Sequence, residues 1–479
     1  MRTLSKILWA TLPFCTHFTF AAQDDATFVK NAIADHQSQM ENISDSLWNW
    51  AEVGYKETQS SALMQTVLRE HGFNVEAGVA GMPTAFVATW GGDGPVIGML
   101  AEMDALPGLS QQAIPEKKPQ SGMHNGHACG HHLFAGGSVG AALVVKDWLE
   151  ATGTGGQIRV YGTPAEEGGS GKVYMAREGL FDDVDVALHW HPGDGNSAEA
   201  SSTLANKSAK FRFRGIAAHA AAAPERGRSA LDAVEAMNMM VNMMREHVPD
   251  RTRIHYVITN GGAAPNIVPD FAEVYYYVRS PEPEVVLSLW KRLEKIAEAA
   301  ALGTETEMEE EVVGGTWNIL PNLTLARQMD SSMHAFGGIS YSAEEENFAD
   351  KVRPSLGKPA MKAKGQQSEV AEFSEDIPVW SASTDVGDVS WQVPTAGLRA
   401  ATWVPGTPPH SWQAVAAGGM SIGKKGMTLA ASTLALTTIK LFEQPAVIEE
   451  AKAEFDRRAS DVEYEALLGD RKPALNYRD

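Results

Sequence analysis

The sequence predicts an α/β protein that is built on a mixed sheet and interrupted by an inserted α+β unit. Apolar runs that end abruptly in polar clusters predict buried strands at Pro95–Leu100, Ile158–Gly162 and Val184–Leu188. Between the first two, His132–Thr152 is rich in Ala, Gly, Val and Leu and predicts a buried helix. After the third strand, the apolar runs that end in polar clusters give way to a different order of strands and helices, which predicts the insertion.

The insertion has the element order βαββαβ, which describes a compact, ferredoxin-like unit. Its predicted elements are strand Lys210–Arg214, helix Ser229–His247, strand Arg253–Thr259, strand Ala272–Arg279, helix Pro281–Ala301 and strand Thr304–Val313. The first pattern resumes near Trp317, and the polar stretch Tyr341–Pro378 is predicted to be a surface excursion. The predicted divisions are a main domain over 23–207 and 315–446, the insertion over 208–314, and a C-terminal tail over 447–479.

The length of the chain indicates two domains, and its net charge argues against one class of partner. A chain of 479 residues exceeds one comfortable hydrophobic core, so two domains are expected. The net charge of −20 argues against a nucleic-acid partner, because binding phosphates requires a concentrated Lys/Arg surface. An anionic substrate would therefore need a local arginine.

Residues 1–22 have the pattern of a secretory signal. Arg2 and Lys6 precede the apolar stretch Ile7–Phe20, and the small residues Ala21 and Ala22 follow it. The stretch falls short of the ~20 residues that span a bilayer, which favours a signal over a membrane anchor. We therefore expect a secreted or periplasmic protein with no membrane partner.

The cysteine count then becomes informative. Cys15 lies in the segment that would be removed, so the mature chain keeps Cys129 and forms no internal disulfide. Most free cysteines are simply buried as small apolar residues. The neighbours of Cys129 favour a chemical role instead.

Three imidazoles and that thiol fall within six positions, at His127, Cys129, His131 and His132. A thiolate and an imidazole two residues apart, held by a turn at Gly130, can reach one metal centre, and the mix suits zinc or manganese. The alternative is a polar loop whose histidines only form hydrogen bonds.

Glu166 and Glu167 follow a predicted strand and precede a glycine run. Adjacent side chains at a strand end point in different directions, so one carboxylate can bind metal while the other faces a water molecule. This division of labour suits hydrolysis, since a carboxylate can move a proton from water to a leaving nitrogen. His189, His191 and His410 also follow strands or turns, although any one of them alone would more often be structural.

Five motifs occur in the order expected of one family. They are Glu102–Pro107, His127–His131, Pro164–Gly169, Gly215–Ala221 and Gly261–Asp270. On these motifs the sequence resembles the M20 metallopeptidases and amidohydrolases, in their branch of aminoacylases and amino-acid-conjugate hydrolases, over about residues 25–445.

The resemblance implies a metallo-aminopeptidase-like catalytic domain that binds two divalent ions, zinc or manganese. The implied metal ligands are Cys129, His131, Glu167, His189 and His410. Glu166 would be the general base, and Asp104 would orient a ligand imidazole or thiolate. The branch usually has Asp at the position of His132, and His191 is an additional histidine. His132 could join the site or replace a contact that orients a ligand, and His191 could be a ligand or only lie near the site.

The inserted unit would be the family's lid and dimerisation domain. It would supply His219 to polarise the scissile carbonyl, and Asn266 and Arg279 to hold a substrate carboxylate. The planar guanidinium of Arg279 can grip a carboxylate at two points. The implied partners are a small carboxylate-bearing substrate and either a second copy of the chain or a homologous second chain.

The resulting functional hypothesis is metal-dependent hydrolysis of an N-acyl amino acid such as an aromatic-acyl glutamate. One alternative is dipeptide cleavage or aminoacylase activity by the same fold. Another is a non-catalytic binding protein that has kept the pocket. The intact Glu166 and ligand set argue against the last alternative.

Overall fold

A computed structural model describes residues 24–478, so the predicted signal segment lies outside the described residues. The strands in this part of the chain are β1 Asn74–Ala77, β2 Phe86–Gly91, β3 Val96–Glu102, β4 Gln157–Thr163, β5 Val186–Gly193, β6 Ser197–Glu199, β7 Ala205–Arg214, β8 Arg253–Asn260, β9 Phe271–Ser280, β10 Glu307–Thr316 and β11 Thr395–Ala401. The α-helices there are α1 Asp25–Trp50, α2 Thr58–Glu70, α3 His131–Thr152, α4 Gly171–Arg177, α5 Ala230–Met244, α6 Pro283–Thr304, α7 Leu323–Phe336, α8 Ala343–Leu356, α9 Lys358–Lys362, α10 Val386–Ser390, α11 Trp412–Gly418, α12 Ser421–Glu443 and α13 Pro445–Ala459.

The main sheet has seven strands in the order β1-β2-β4-β3-β5-β11-β6. The central strands β4, β3, β5 and β11 are parallel, whereas β1, β2 and β6 join them through antiparallel pairs. This confirms the predicted mixed sheet. Because the carboxyl ends of the four parallel strands meet at one edge, the residues that follow them are brought together there.

The main core depends on close packing of α3 between the sheet and its neighbours. Nearly all of α3 is buried, and α1 and α12 both pack against it. Gly137 and Gly140 permit this approach, since a Cβ atom would lie 2.9 Å from the Trp190 ring at the first and 2.5 Å from Met40 at the second. The small residues of the predicted helix therefore set how tightly it lies on the sheet.

The insertion forms a second sheet in the order β10-β7-β9-β8, and all its pairs are antiparallel. Alternate residues of β9, namely Ala272, Val274, Tyr276 and Val278, are buried on the side covered by α5 and α6. The order βαββαβ is thus confirmed. We call residues 205–316 the lid; the exact domain boundaries remain a prediction.

The stretch Tyr341–Pro378 is not only the surface excursion that its charge predicts. It contains α8, whose Phe348, Ala349 and Val352 are buried in a small core with Trp403. These apolar residues lie at helical spacing, a signal that the surrounding acidic residues obscured. No helix among residues 24–478 has the length and apolar character needed to cross a bilayer.

Candidate metal centre

The two glutamates lie on a tightly turned loop between β4 and α4. Ala165, just before them, is buried and has a left-handed backbone with φ of 59°. An alanine rarely adopts this conformation unless its surroundings impose it. Here the carboxylate of Glu57 accepts a 2.8 Å hydrogen bond from the Ala165 amide. The turn directs Glu166 and Glu167 away from the line of the strand.

The turn that carries Cys129 packs directly on the end of β5. Gly130 has φ of 84°, and a Cβ atom there would lie 2.6 Å from Pro192. This close approach brings the Cys129 Sγ atom to 3.3 Å from the His191 Nε2 atom. His131, which follows Gly130, begins α3 and is fully buried.

Three groups of ligand atoms lie within 4.8 Å of one another. They are Cys129 with His131 and His191, Cys129 with Glu167 and His410, and Glu102 with His131 and Glu166. The first two groups share Cys129, so its thiolate could serve as a ligand in either group. The sulfur, imidazole and carboxylate donors match the preferences of zinc and related ions.

The contacts between these ligand atoms also fit a metal. His131 Nε2 lies 3.0 Å from Glu102 Oε2, and His410 Nε2 lies 3.1 Å from Glu167 Oε1. Three of these atoms, His131 Nε2, Glu102 Oε2 and Glu167 Oε1, are nevertheless buried without a hydrogen-bond partner among the described residues. Donor atoms that are close but not aimed at each other are expected where they share an ion.

His191, rather than the predicted His189, takes part in these groups. Both side chains point to the same face of β5, because they are two residues apart. Two residues of parallel strand advance roughly 6.6 Å, so His191 reaches the sheet edge where Cys129 lies. The His189 ring instead fills the space beside Gly397, where a Cβ atom would lie 2.3 Å from it. The geometry of the described residues favours His191 as a ligand, and the ligand role of His189 stays a prediction.

Burial lowers the pKa of both histidines, to about 4 for His189 and about 3 for His191. For His191 the positive charge of Arg399 on β11 adds to this effect. A neutral imidazole at ordinary pH is the form that binds a metal. Burial also raises the pKa of Cys129 far above its usual value, with Glu167 contributing, so the thiol stays protonated until a cation replaces the proton.

Two other histidines of the motif point elsewhere. His132 Nε2 donates to the Gly418 carbonyl at 3.2 Å, and His127 Nε2 donates to the Leu47 carbonyl at 3.0 Å. Neither residue belongs to a candidate ligand group in the described part of the chain. These two hydrogen bonds link the His127–His132 segment to α1 and α11.

Asp104 lies where an orienting residue is expected. Its Oδ1 atom is 2.9 Å from His131 Nδ1, and its Oδ2 atom accepts a 2.9 Å hydrogen bond from the Glu167 amide. One carboxylate therefore contacts both the imidazole and the backbone of two predicted ligands. Such contacts fix the direction in which a ligand presents its donor atom.

Lys172 was not identified from the sequence. It is fully buried at the start of α4, and its Nζ atom lies 2.7 Å from Glu102 Oε1 and 2.6 Å from Asp385 Oδ1. These two carboxylates hold the pKa of Lys172 above its usual value despite the burial. The sequence feature that could have identified Lys172 is a lysine directly after a glycine run, within an otherwise apolar helix.

Glu166 has an environment suited to proton transfer. Burial, with the nearby charges of Glu102 and Glu167, raises its pKa well above the usual value for a carboxyl group. Without a cation, these surroundings favour the protonated form of Glu166. Ions placed among these carboxylates would favour the ionised form.

The lid does not bring its predicted residues together. Asn266 precedes the start of β9, beside His219, whose neighbour Ala220 donates to the Asn266 carbonyl at 3.0 Å. Arg279 is near the other end of β9, and eight residues of antiparallel strand span roughly 27 Å. Within one chain, Asn266 and Arg279 therefore lie too far apart to hold one carboxylate together, and the predicted role of each residue stays a prediction.

Arg279 instead lies in a row of polar residues where the lid joins the catalytic domain. In register across the sheet, Thr316 is opposite Asn206, and Asn206 is opposite Arg279. Arg279 Nε, Asn206 Oδ1 and Thr316 Oγ1 are all buried without a hydrogen-bond partner among residues 24–478. Residues opposite one another in a sheet point to the same face, so these groups can meet one ligand. No local sequence pattern indicated Asn206 or Thr316.

The two strand histidines allow a matched test of the ligand assignment. We expect His191→Ala to lose about one metal ion per chain, because its imidazole is a predicted ligand. His189→Ala removes the same group one strand repeat away and should keep the wild-type metal content. Metal analysis of the purified proteins decides this, and loss of metal in His189→Ala alone would reverse the assignment.

Comparison with known proteins agrees with this architecture. The peptidase dimerisation domain of the M20 family matches residues 204–305. The chain is 41% identical to one of the two subunits of p-aminobenzoyl-glutamate hydrolase of Escherichia coli, over 90% of this chain and 95% of that protein. It is 30% identical to Xaa-Arg dipeptidase of Mus musculus over 86% of this chain and 88% of that protein.

Solved structures show the same fold at lower identity. An aminobenzoyl-glutamate utilization protein from Klebsiella pneumoniae superposes with a TM-score of 0.60 at 18% identity, covering 86% of this chain and 98% of that one. The Bacillus subtilis YXEP protein, a dinuclear metal-binding peptidase of the M20 family, superposes with a TM-score of 0.58 at 16% identity, covering 86% and 99%. Together with the lid and the ordered motifs, these similarities establish that the chain belongs to the M20 family and is an amidohydrolase.

Proposed function

We propose that this chain hydrolyses the amide bond of p-aminobenzoyl-glutamate or a similar N-acyl amino acid. The observation that carries the proposal is the meeting of Cys129, His131, Glu167, His191 and His410 beside Glu166 at the carboxyl edge of the main sheet. The 41% identity to a p-aminobenzoyl-glutamate hydrolase chain supports the substrate class.

Cys129, His131, Glu167, His191 and His410 would hold two divalent ions. A divalent ion bound there supplies a Lewis acid for the amide carbonyl. Glu166 takes a proton from the attacking water and returns it to the leaving nitrogen. Asp104 keeps His131 and Glu167 in place, and Lys172 fixes Glu102 and Asp385 beneath them.

Arg279, Asn206 and Thr316 are proposed to bind the substrate carboxylate. Arg279 makes no ion pair with the rest of the described chain and lies over the Tyr277 ring at 5.2 Å. A guanidinium without a counter-charge suits an anionic ligand in an otherwise acidic protein. The three unpartnered groups would offer donors and an acceptor to one end of the substrate.

A second candidate substrate is a dipeptide. It is favoured by the 30% identity to Xaa-Arg dipeptidase over most of both chains. The metal centre would be the same, and only the groups that bind the two ends of the substrate would differ. Relative kcat/KM for an aromatic-acyl glutamate and for a dipeptide ending in arginine separates the two candidates.

We also propose that a second chain completes the site. The edge strand β8 exposes Val257 and Ile258, and the adjacent helix α5 exposes Met239 and Met243. An apolar sheet edge of this kind is a ready surface for pairing with a partner. His219 lies in an exposed loop at the far end of the lid, where it can reach the metal centre of a second copy.

The partner could instead be a homologous chain. This protein is also 26% identical to the other subunit of the Escherichia coli p-aminobenzoyl-glutamate hydrolase, over 54% of this chain and 62% of that protein. For this chain we propose the homodimer, together with export through the signal segment 1–22.

The base assignment is tested by Glu166→Gln. We expect normal metal content but a fall in kcat of roughly 10²- to 10⁴-fold, because an amide cannot accept the proton of water. Glu450→Gln, an exposed substitution of the same kind on α13, is the control and should retain wild-type activity. Loss of metal from Glu166→Gln would place Glu166 in the ligand shell, and full activity would remove its proposed role.

The carboxylate site is tested by Arg279→Ala with two matched substrates. For an acyl-glutamate we expect kcat/KM to fall by roughly 30- to 1,000-fold, equivalent to about 2–4 kcal/mol. For the analogue whose α-carboxylate is capped as an amide, the loss should be much smaller. Arg214→Ala, at the opposite end of the lid sheet, is the control. Equal losses on both substrates would show that Arg279 is structural.

The shared site is tested by mixing two inactive variants, Glu166→Gln and His219→Ala. If His219 acts on the partner's metal centre, exchange of chains between dimers should restore roughly a quarter of wild-type activity, since half of the dimers are hybrids with one intact site. Activity is measured before and after exchange. No recovery in a mixture shown to contain hybrid dimers would place His219 and Glu166 in the same chain's site.

A further inference from the structure

The segment 461–478, which follows α13, connects the lid, the catalytic domain and the metal centre. Leu467 is buried in the lid core, whereas the next residue, Leu468, is buried in the main core. Leu467 also lies against Gly315 on β10, where a Cβ atom would lie 2.7 Å from it. Two consecutive side chains therefore join the two sheets at their junction. We call this segment the C-terminal strap.

Hydrogen bonds fix the strap along its path. Trp317 donates from Nε1 to the Glu465 carbonyl at 2.8 Å. Arg177 on α4 donates from Nη1 to the carbonyls of Gly469 at 2.8 Å and Arg471 at 2.7 Å. Arg471 in turn donates to the Val313 carbonyl on β10. The strap thus runs past α4, the helix that follows the glutamate loop.

The strap ends on the glutamate loop itself. The Tyr477 hydroxyl donates to the Glu167 carbonyl at 3.2 Å, and Arg478 donates to the same oxygen from Nη2. The chain leaves room for this contact, since a Cβ atom on Gly54 would lie 2.2 Å from the Tyr477 hydroxyl. The Tyr477 ring also packs edge-on against Tyr55, at 5.7 Å between centroids.

Hydrogen bonds hold the backbone of residues 167–169 at successive groups. The Glu167 amide donates to Asp104, and the Gly169 carbonyl accepts from the Tyr55 hydroxyl at 2.7 Å. The peptide between Glu167 and Gly168 has one local bond, from the Gly168 amide to the Glu166 carbonyl at 2.7 Å, and the strap holds the carbonyl of the same peptide. Gly168 follows it with φ of 102°, a residue whose backbone rotates freely.

We propose that Tyr477 and Arg478 are positioning residues for the metal centre. By holding the Glu167 carbonyl they fix the peptide that carries the Glu167 carboxylate, and with it the direction of the neighbouring Glu166. This inference rests on the proposed role of Glu167 as a metal ligand. The strap acts on the ligand through its backbone and needs no contact with the substrate.

The strap offers a matched pair of arginines for the test. Arg478→Ala removes a bond to the Glu167 carbonyl, whereas Arg471→Ala removes the same kind of bond to Val313 on the lid. We expect Arg478→Ala to weaken zinc binding roughly tenfold or more, the loss typical when a contact that orients a ligand is removed. Arg471→Ala should retain the wild-type zinc affinity. Tyr477→Phe should weaken it less than Arg478→Ala, and Arg478→Lys should restore part of it.

Zinc affinity is measured on the full chain by competition with a chromogenic chelator, and the melting temperature of each metal-free variant is measured beside it. A tenfold loss in Arg478→Ala at a melting temperature no lower than that of Arg471→Ala supports the proposal. Wild-type affinity in Arg478→Ala, or an equal loss in both alanine variants, would overturn it while leaving the proposed function standing. Absence of zinc binding by the wild-type chain would overturn both.

Discussion

Carboxyl groups gather at one edge of the main sheet, and the loops and helices around them are bonded so as to hold them there. Six acidic residues meet there: Glu57, Glu102, Asp104, Glu166, Glu167 and Asp385. Lys172 neutralises part of this charge, and the pKa of Glu57 is raised to about 8 by burial and by Asp104, so that carboxyl can keep a proton. Burial penalises each remaining charge, which makes the edge a natural place for divalent cations.

The glutamate loop is held by parts of the chain that are far apart in sequence. Glu57 precedes α2, Asp104 follows β3 and Asp385 precedes α10, and each accepts a backbone hydrogen bond in or next to the loop. The strained turn at Ala165 is stable because these partners impose it. A site that is fixed in this way has little freedom to rearrange, which suits ligands that must meet an ion at defined distances.

The lid divides its roles between its two ends. The end that joins the catalytic domain carries the row of Thr316, Asn206 and Arg279, whereas His219 and Asn266 lie at the other end in exposed loops. A rigid antiparallel sheet keeps these ends apart, so one chain cannot bring them to the same substrate. In the proposed homodimer, one end of the lid would serve its own metal centre and the other end would serve the partner's.

Much of this protein could be predicted from the sequence, because local patterns encode it. Apolar runs predicted the strands, and turns with Gly130 and Gly168 beside metal-binding residue types predicted the cluster of Cys129, His131 and Glu167. Only the tertiary structure shows that His191, and not His189, lies beside Cys129, since both side chains share one face of β5 and differ in how far along the strand they lie. It also decided that the strap contacts Glu167, because that contact joins residues 310 positions apart, and no local pattern records such a pairing.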